Sequence, residues 1–470
     1  MGTPEDRLCA YLAALTSRAL SADTRHRIAQ SLLDWFTAGY SGAAMPASFK
    51  LQELAAALFP GDGQVPVFGQ TSSETCAVSP LGAAFCNAGI THLREIDDAH
   101  RTAMLHPGIV AVTPVLAIAA TQTMTQQQFE AGIVAGYEVG IRVGEALGSG
   151  HAGKFHMTAT AGSLAAAAAS AVALGLDADR IHHALGIAAT QAAGLWQFVD
   201  DQAHESKALH PAFAVRNGMT AAYAAQAGYP GARHFMNGSR GLYALLHGEG
   251  DPALLDKDLG ATDRISSSTI KPWPTCGQLF TIVDATQALI DAHDINVDDI
   301  ESVNIEIFPQ ALRIAKVDWP VKPAETCFSG RYCVAILLLT GKLGIQETEN
   351  PDLQNPKLLA LAEKMSLQAR PDYAAAFPDR RPGTVTIRFK NGETLSATHD
   401  IRRGDPEAPF DWPGLETRLR NLVPGIAQEK AEAISTWCAQ QQHTAPDARF
   451  CPPPPHLFNG GPDRGSNAFP

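Results

Sequence analysis

Apolar residues recur at helical spacing through the first half of the chain. Residues 6–20 carry Leu8, Leu12 and Leu15 on one stripe, and residues 24–40 carry Ile28, Leu32, Trp35 and Phe36 on another, with Asp23 or Thr24 as the N-cap. Alanine-rich runs follow at 81–92, 109–122, 129–147, 158–176, 178–193 and 208–228. Small side chains let helices approach closely, so these runs predict a tightly packed all-helical domain, too irregular for a heptad coiled coil. The most apolar run, 158–176, is interrupted by Gly162, Ser163 and Ser170 and reads as a buried helix in place of a membrane span.

The pattern changes near residue 265. Residues 300–308 (IESVNIEIF) alternate as a strand does, and 384–398 (TVTIRFKNGETLSAT) read as a hairpin, with Asn391-Gly392 as a type I′ turn. Helical segments at 279–292 and 331–343 lie between them. The expected fold class is mainly α: a large all-helical domain over 1–265 and a smaller α+β domain over 266–400. A helical segment over 401–442 is expected to rejoin the first domain, followed by a mobile Pro/Gly-rich tail over 443–470.

Composition narrows the function. With 36 Lys and Arg against 48 Asp and Glu, the net charge of −12 argues against nucleic acid and anionic membranes as partners. The eight cysteines form no CxxC pair, and the first residues lack the basic and apolar regions of an export signal. A reduced, cytoplasmic protein is expected.

Ionisable residues cluster in four segments. The first, Glu95 to Gly108, holds Asp97, Asp98, His100, Arg101 and His106, and Pro107-Gly108 open the next helix, placing His106 at an N-terminus. In the second, His156 directly precedes the alanine-rich helix; in the third, Lys207 and His210 precede or open another. Two histidines at helix starts suit a polycarboxylate, since free N–H groups and the helix dipole favour anions. The fourth, Ile270 to Gly277, places Lys271 at the expected domain junction, where clefts commonly form. The GxGxxG match at 148–153 follows a helical pattern, where a dinucleotide site needs a strand, and there is no GxSxG and no HExxH. No metal is expected.

Taken in order, EIDDAHRTAMLHPG (95–108), GKFHMTATAG (153–162), ALGIAATQAAGL (184–195), SKALHPAFAVRNG (206–218), IKPWPTCG (270–277) and RGDPEAP (403–409) resemble the MmgE/PrpD family, which includes 2-methylcitrate dehydratase, cis-aconitate decarboxylase and iminodisuccinate epimerase. The resemblance covers roughly residues 5–440. It implies a helical domain with an α+β lid, a homodimer, and chemistry without cofactor or metal. His106 and His156 match the family's site histidines, Lys207 and Lys271 its site lysines, and Tyr332 a pocket tyrosine. Glu95 stands at the first position of the family's DxDD pattern. The EIDDAH…LHPG spacing is similar to that of fungal cis-aconitate decarboxylases and differs from the longer loop of 2-methylcitrate dehydratases.

The expected function is therefore a cofactor-independent lyase of a small di- or tricarboxylate, acting through a carboxylate-stabilised carbanion. Dehydration comes first, decarboxylation of a cis-aconitate-like acid second and epimerisation third. Catalysis falls to His106, His156, Asp97 and Lys207. Binding falls to Glu95, Asp98, His100, Arg101, Lys271 and Tyr332. The rival from another class is a silent binding protein on the same fold.

Overall fold

The computed structural model describes residues 2–70, 77–246, 249–377 and 379–459. The helical periodicity of the first half takes the form of α1 (Pro4–Ala14), α2 (Ala22–Ala43), α3 (Ala47–Leu58), α4 (Pro80–His92), α5 (Pro107–Ala119), α6 (Gln126–Leu147), α7 (Met157–Ala173), α8 (Ala178–Ala189) and α9 (Leu209–Gln226). Side-chain caps start several of them: Ser21 accepts from Thr24 N, Ser79 from Gly82 N and Thr125 from Gln128 N.

Every residue of α7 is buried, and the helix packs against α5, α6, α8 and α9. Its alanines make that crowding possible. At the α7–α9 crossing, a Cβ added to Gly218 would lie 2.5 Å from Ala166 Cβ, closer than real carbon atoms approach. The alanine-rich pattern is thus a packing solution, and among the described residues no helix is long and apolar enough to cross a membrane.

Two compact units emerge, one of residues 1–269 and 425–470, the other of 270–424. In the second, α10 (Phe280–Ala292) and α11 (Gly330–Thr340) accompany β1 (Ile300–Ile307), β2 (Met365–Ala369), β3 (Gly383–Phe389) and β4 (Thr394–His399). The sheet order is β2-β1-β3-β4, with β1 parallel to β2 and antiparallel to β3. Alternation puts Val303, Ile305 and Ile307 of β1 beside Val385 and Ile387 of β3, in one core with Phe280, Val283 and Leu337. The fold class is therefore mainly α with a small α+β part, as the pattern predicts.

Three local features differ from expectation. The β3–β4 turn is not type I′, which needs positive φ at both central residues. Among its residues only Gly392 (φ 88°) has positive φ, and Asn391 Oδ1 accepts from Glu393 N instead. The helical segment expected to return whole is split at Pro424-Gly425 (φ 79°): α12 (Trp412–Leu422) stays in the second unit and α13 (Gln428–Gln441) joins the first. Finally, residues 443–459 of the expected mobile tail are packed. Phe450 stacks on Phe129 with centroids 3.7 Å apart, Phe458 meets Trp35, Phe36 and Phe68, and Tyr40 Oη donates to the Leu457 carbonyl. Aromatic anchors outweigh the proline signal there. The rest of the tail, 460–470, lies outside the described residues.

Candidate active site

Three chain segments converge in the first unit on a group of imidazoles. His106 is the N-cap of α5 and His156 the N-cap of α7. The two starts are tied together, because His106 N donates to Thr158 Oγ1 at 3.1 Å in the first turn of α7. His156 is held from the other side by its own N–H on the Gly194 carbonyl at 2.8 Å. Gly194 must have no side chain, since its φ is 116° and a Cβ there would sit 2.3 Å from Ala159 Cβ.

Asp97 is the organising group. Its carboxylate lies 2.8 Å from His106 Nδ1 and 3.2 Å from His92 Nδ1. Burial alone would push this carboxyl up, but His106 and His92 against it hold it well below the usual carboxylate range. His156 stacks on His92 (5.5 Å between centroids) and its Nδ1 lies 3.0 Å from His210 Nδ1 on α9. Burial, followed by the positive charges that His92, Lys207, His106 and His210 can carry, pushes His156 well below the usual histidine range. It is a neutral imidazole at neutral pH. His210 is pushed down to about 4 by burial, His92 and Lys207.

Lys207 brings a cation to the edge of this group. Its ammonium pairs with Glu95 and lies 5.6 Å from the Trp196 ring centroid, and Trp196 packs on His156 at 4.8 Å. Glu95 reaches it from a left-handed backbone (φ 54°), a conformation that costs energy for a residue with a side chain. A half-buried lysine, a neutral histidine and a second, carboxylate-bound histidine can together bind one anion and move one proton.

Other expected binding residues make contacts within the fold. Asp98 is buried, its Oδ1 accepting from Gly108 N and its Oδ2 from Tyr137 Oη, at 2.8 and 2.7 Å. Burial and the nearby Asp34 carboxylate push it up to about 7. A Cβ on Gly108 would lie 2.6 Å from Asp98 Oδ1, so this corner admits only glycine. His100 is buried too. Its Nδ1 accepts from Ala103 N, its Nε2 lies 3.0 Å from Ser267 Oγ, and burial with Arg264 and Arg101 pushes it down to about 3. Both hold the loop through these contacts. Arg101 is half-buried beside His100.

Lys271 and Tyr332 belong to the second unit. The Lys271 carbonyl accepts from Arg418 Nε at 2.5 Å, which fixes that backbone. Tyr332 is wholly buried against Trp319, and its hydroxyl donates to the Glu347 carbonyl. It belongs to the core of the second unit.

His92 is the residue that pattern reading passed over. It closes an apolar helix and looks like a core position. The signal was its spacing: the last residue of α4 stands five positions before Asp97, across a tight turn.

Comparison with known proteins fits this geometry. The model of the MmgE/PrpD N-terminal domain matches residues 6–255, and that of the MmgE/PrpD C-terminal domain matches residues 273–441. A cis-aconitate decarboxylase-like protein of Aspergillus oryzae is 31% identical over 89% of this chain and 90% of its own. The cis-aconitate decarboxylase of Aspergillus terreus is 25% identical over 90% and 89%, and that of Mus musculus 25% over 87% and 85%. The chain belongs to the MmgE/PrpD family.

Proposed function

We propose that the protein is a lyase of a small tricarboxylate, with decarboxylation of a cis-aconitate-like acid as its reaction. The observation that carries this is the Asp97 carboxylate bound to His106 Nδ1, with neutral His156 and the cation Lys207 beside it. The lost carboxylate leaves as CO₂ and its bonding pair stays on carbon, spread into a remaining carboxylate. That charge needs a cation, and Lys207 supplies it by exchanging Glu95 for substrate. The carbanion then takes a proton from His106, whose imidazolium form Asp97 balances, and solvent returns the proton. The relatives' names support the decarboxylase over the hydro-lyase that sequence alone favoured.

Dehydration is the second reading, and neutral His156 favours it. A base there removes an α-proton while His106 protonates the leaving hydroxyl, so the same pair serves both. Purified protein incubated with cis-aconitate, citrate and 2-methylcitrate separates them. Release of CO₂ from cis-aconitate supports the first reading. A new alkene absorbance from citrate or 2-methylcitrate without CO₂ replaces it with the second. A ligand-induced thermal shift without turnover of any acid points to a binding protein.

A further inference from the structure

We propose that Cys276 and Cys327 are a redox-active pair in the second unit, a modification site that closes as a disulfide on exchange with a small-molecule disulfide of the glutathione class. The two are far apart in sequence and show none of the CxxC spacing. The fold brings them together, because Cys276 N donates to the Cys327 carbonyl at 2.9 Å. Standard bond lengths then keep the two Cα atoms within about 6.8 Å of one another. Disulfides join Cα atoms roughly 4.4–6.8 Å apart.

What surrounds each residue holds it in place. Cys327 belongs to the 3₁₀ turn Pro323–Phe328. Thr326 Oγ1 ties that turn to the Thr348 carbonyl, and Ser329 Oγ ties it to the Asp318 carbonyl, both at 2.8 Å. The Cys276 carbonyl accepts from Leu279 N at 2.9 Å at the entry to α10. Just before it, Trp273 Nε1 donates to Asp284 Oδ1 on α10 at 2.8 Å. Both cysteines are reduced thiols, both are half-buried, and Phe328 beside Cys327 is 39% exposed, so the pair lies at the surface of the unit and within reach of a small reagent.

A third thiol shows which two react. Cys333 on α11 is wholly buried, and its Sγ donates to the carbonyl of Thr326, the residue before Cys327, at 3.5 Å. Burial, then Cys327 and Cys276, push it well above the ordinary thiol range, so both other sulfurs lie within electrostatic reach of it. Thiolate is the nucleophile in exchange, and Cys333 stays a thiol. The half-buried pair carries the chemistry. One thiolate attacks a sulfur of the small disulfide, forming a mixed disulfide and releasing one small thiolate. The second cysteine loses its proton and attacks the protein sulfur of that mixed disulfide. The Cys276–Cys327 bond forms and the second small thiolate leaves. The protein gives up two electrons and two protons, and the small disulfide takes them up as two thiols. Closure encloses β1 in a loop and removes freedom from the unfolded chain. The site lies wholly in the second unit, so it is independent of the proposed reaction.

The test incubates reduced full-length protein with oxidised glutathione, blocks the remaining thiols with iodoacetamide and digests without reductant. Trypsin cuts at Arg331, which puts Cys327 and Cys333 on different peptides. Mass spectrometry should find the Cys276 peptide joined to the Cys327 peptide with the loss of two hydrogens, and dithiothreitol should reverse the link. The oxidised protein should also unfold at a higher denaturant concentration than the reduced one. Cys276→Ser and Cys327→Ser should each abolish the link, whereas Cys333→Ala should keep it, with circular dichroism confirming that the variants are folded. The peptide map of the unmodified protein keeps the test decisive if a variant fails to fold. A bond through Cys333, a bond between two chains, glutathione left on a single cysteine, or no oxidation at all would overturn the proposal.

Discussion

Asp97 Oδ2 lies 2.8 Å from Nδ1 of His106 while the same carboxylate reaches His92 at 3.2 Å, so one buried anion orients two imidazoles. An amide at this position keeps the shape but carries no charge, and it presents an N–H to one of the two rings. Asp97→Asn is expected to lower kcat by about 10²–10⁴-fold if His106 is the proton donor. Asp97 acts through His106 and is a positioning residue. A change in folding alone would leave the pH profile of the residual activity in place. The expected result is a lower kcat with an altered limb of the kcat/KM profile, read by steady-state kinetics across pH.

Lys207 and His156 are linked through charge. The ammonium is among the groups that, after burial itself, hold His156 below the ordinary histidine value of 6.5. A base must be deprotonated to work, so activity that depends on neutral His156 falls on the acid side as pH drops through its pKa, which lies well below 6.5. Lys207→Ala removes one of those charges, lets His156 rise, and should move that acid limb to higher pH. It should also raise KM for a polycarboxylate by about 10-fold or more, the loss of one charge-assisted contact of 1.5–3 kcal/mol. An unchanged acid limb in a folded Lys207→Ala protein would separate the two residues.

Asp98 makes a prediction about stability. Its carboxyl is pushed up to about 7 in the fold, by burial and by Asp34, against an ordinary value of 3.8. The folded state thus holds a proton that the unfolded chain releases near pH 4. This contribution is fully present below 3.8 and is lost as pH rises toward 7. The slope is at most about 1.4 kcal/mol per pH unit for one proton. Asp98→Asn keeps an acceptor for Gly108 N and cannot ionise. Its denaturation midpoint should vary less between pH 4 and 7 than that of the unmodified protein, measured in parallel titrations with denaturant.

Legibility in the sequence followed the range of the physics. Helices were plain because their periodicity is local, and the starts at His106 and His156 were readable from Pro107-Gly108 and from the alanine run after Met157. Which side of a loop each group faces was not. Asp97 and Asp98 are adjacent and chemically identical. Only tertiary contacts turn one to the histidines and the other to Tyr137 and Gly108. His92 was hidden for the same reason, since an apolar helix end gives no sign of what it will meet. Tyr332 was carried by resemblance, and its burial is set by packing over distant segments of the second unit.

The C-terminal segment shows the same principle through packing. Proline and glycine at 452–465 read as a flexible tail, yet Phe458 is only 3% exposed. Its ring centroid lies 5.1 Å from that of Phe68, 5.4 Å from Phe36 and 6.1 Å from Trp35. Two of those partners lie on α2, so the segment closes a cluster begun some four hundred residues earlier. Truncating the ring leaves a cavity that the surrounding aromatic groups fill only in part. Phe458→Ala should therefore cost about 3–5 kcal/mol of stability, seen as a lower denaturation midpoint. Substitution by Leu, which keeps most of the volume, should recover most of that loss. A loose tail would make both substitutions neutral, so equal midpoints for all three proteins would show that the aromatic cluster does not hold the segment in solution.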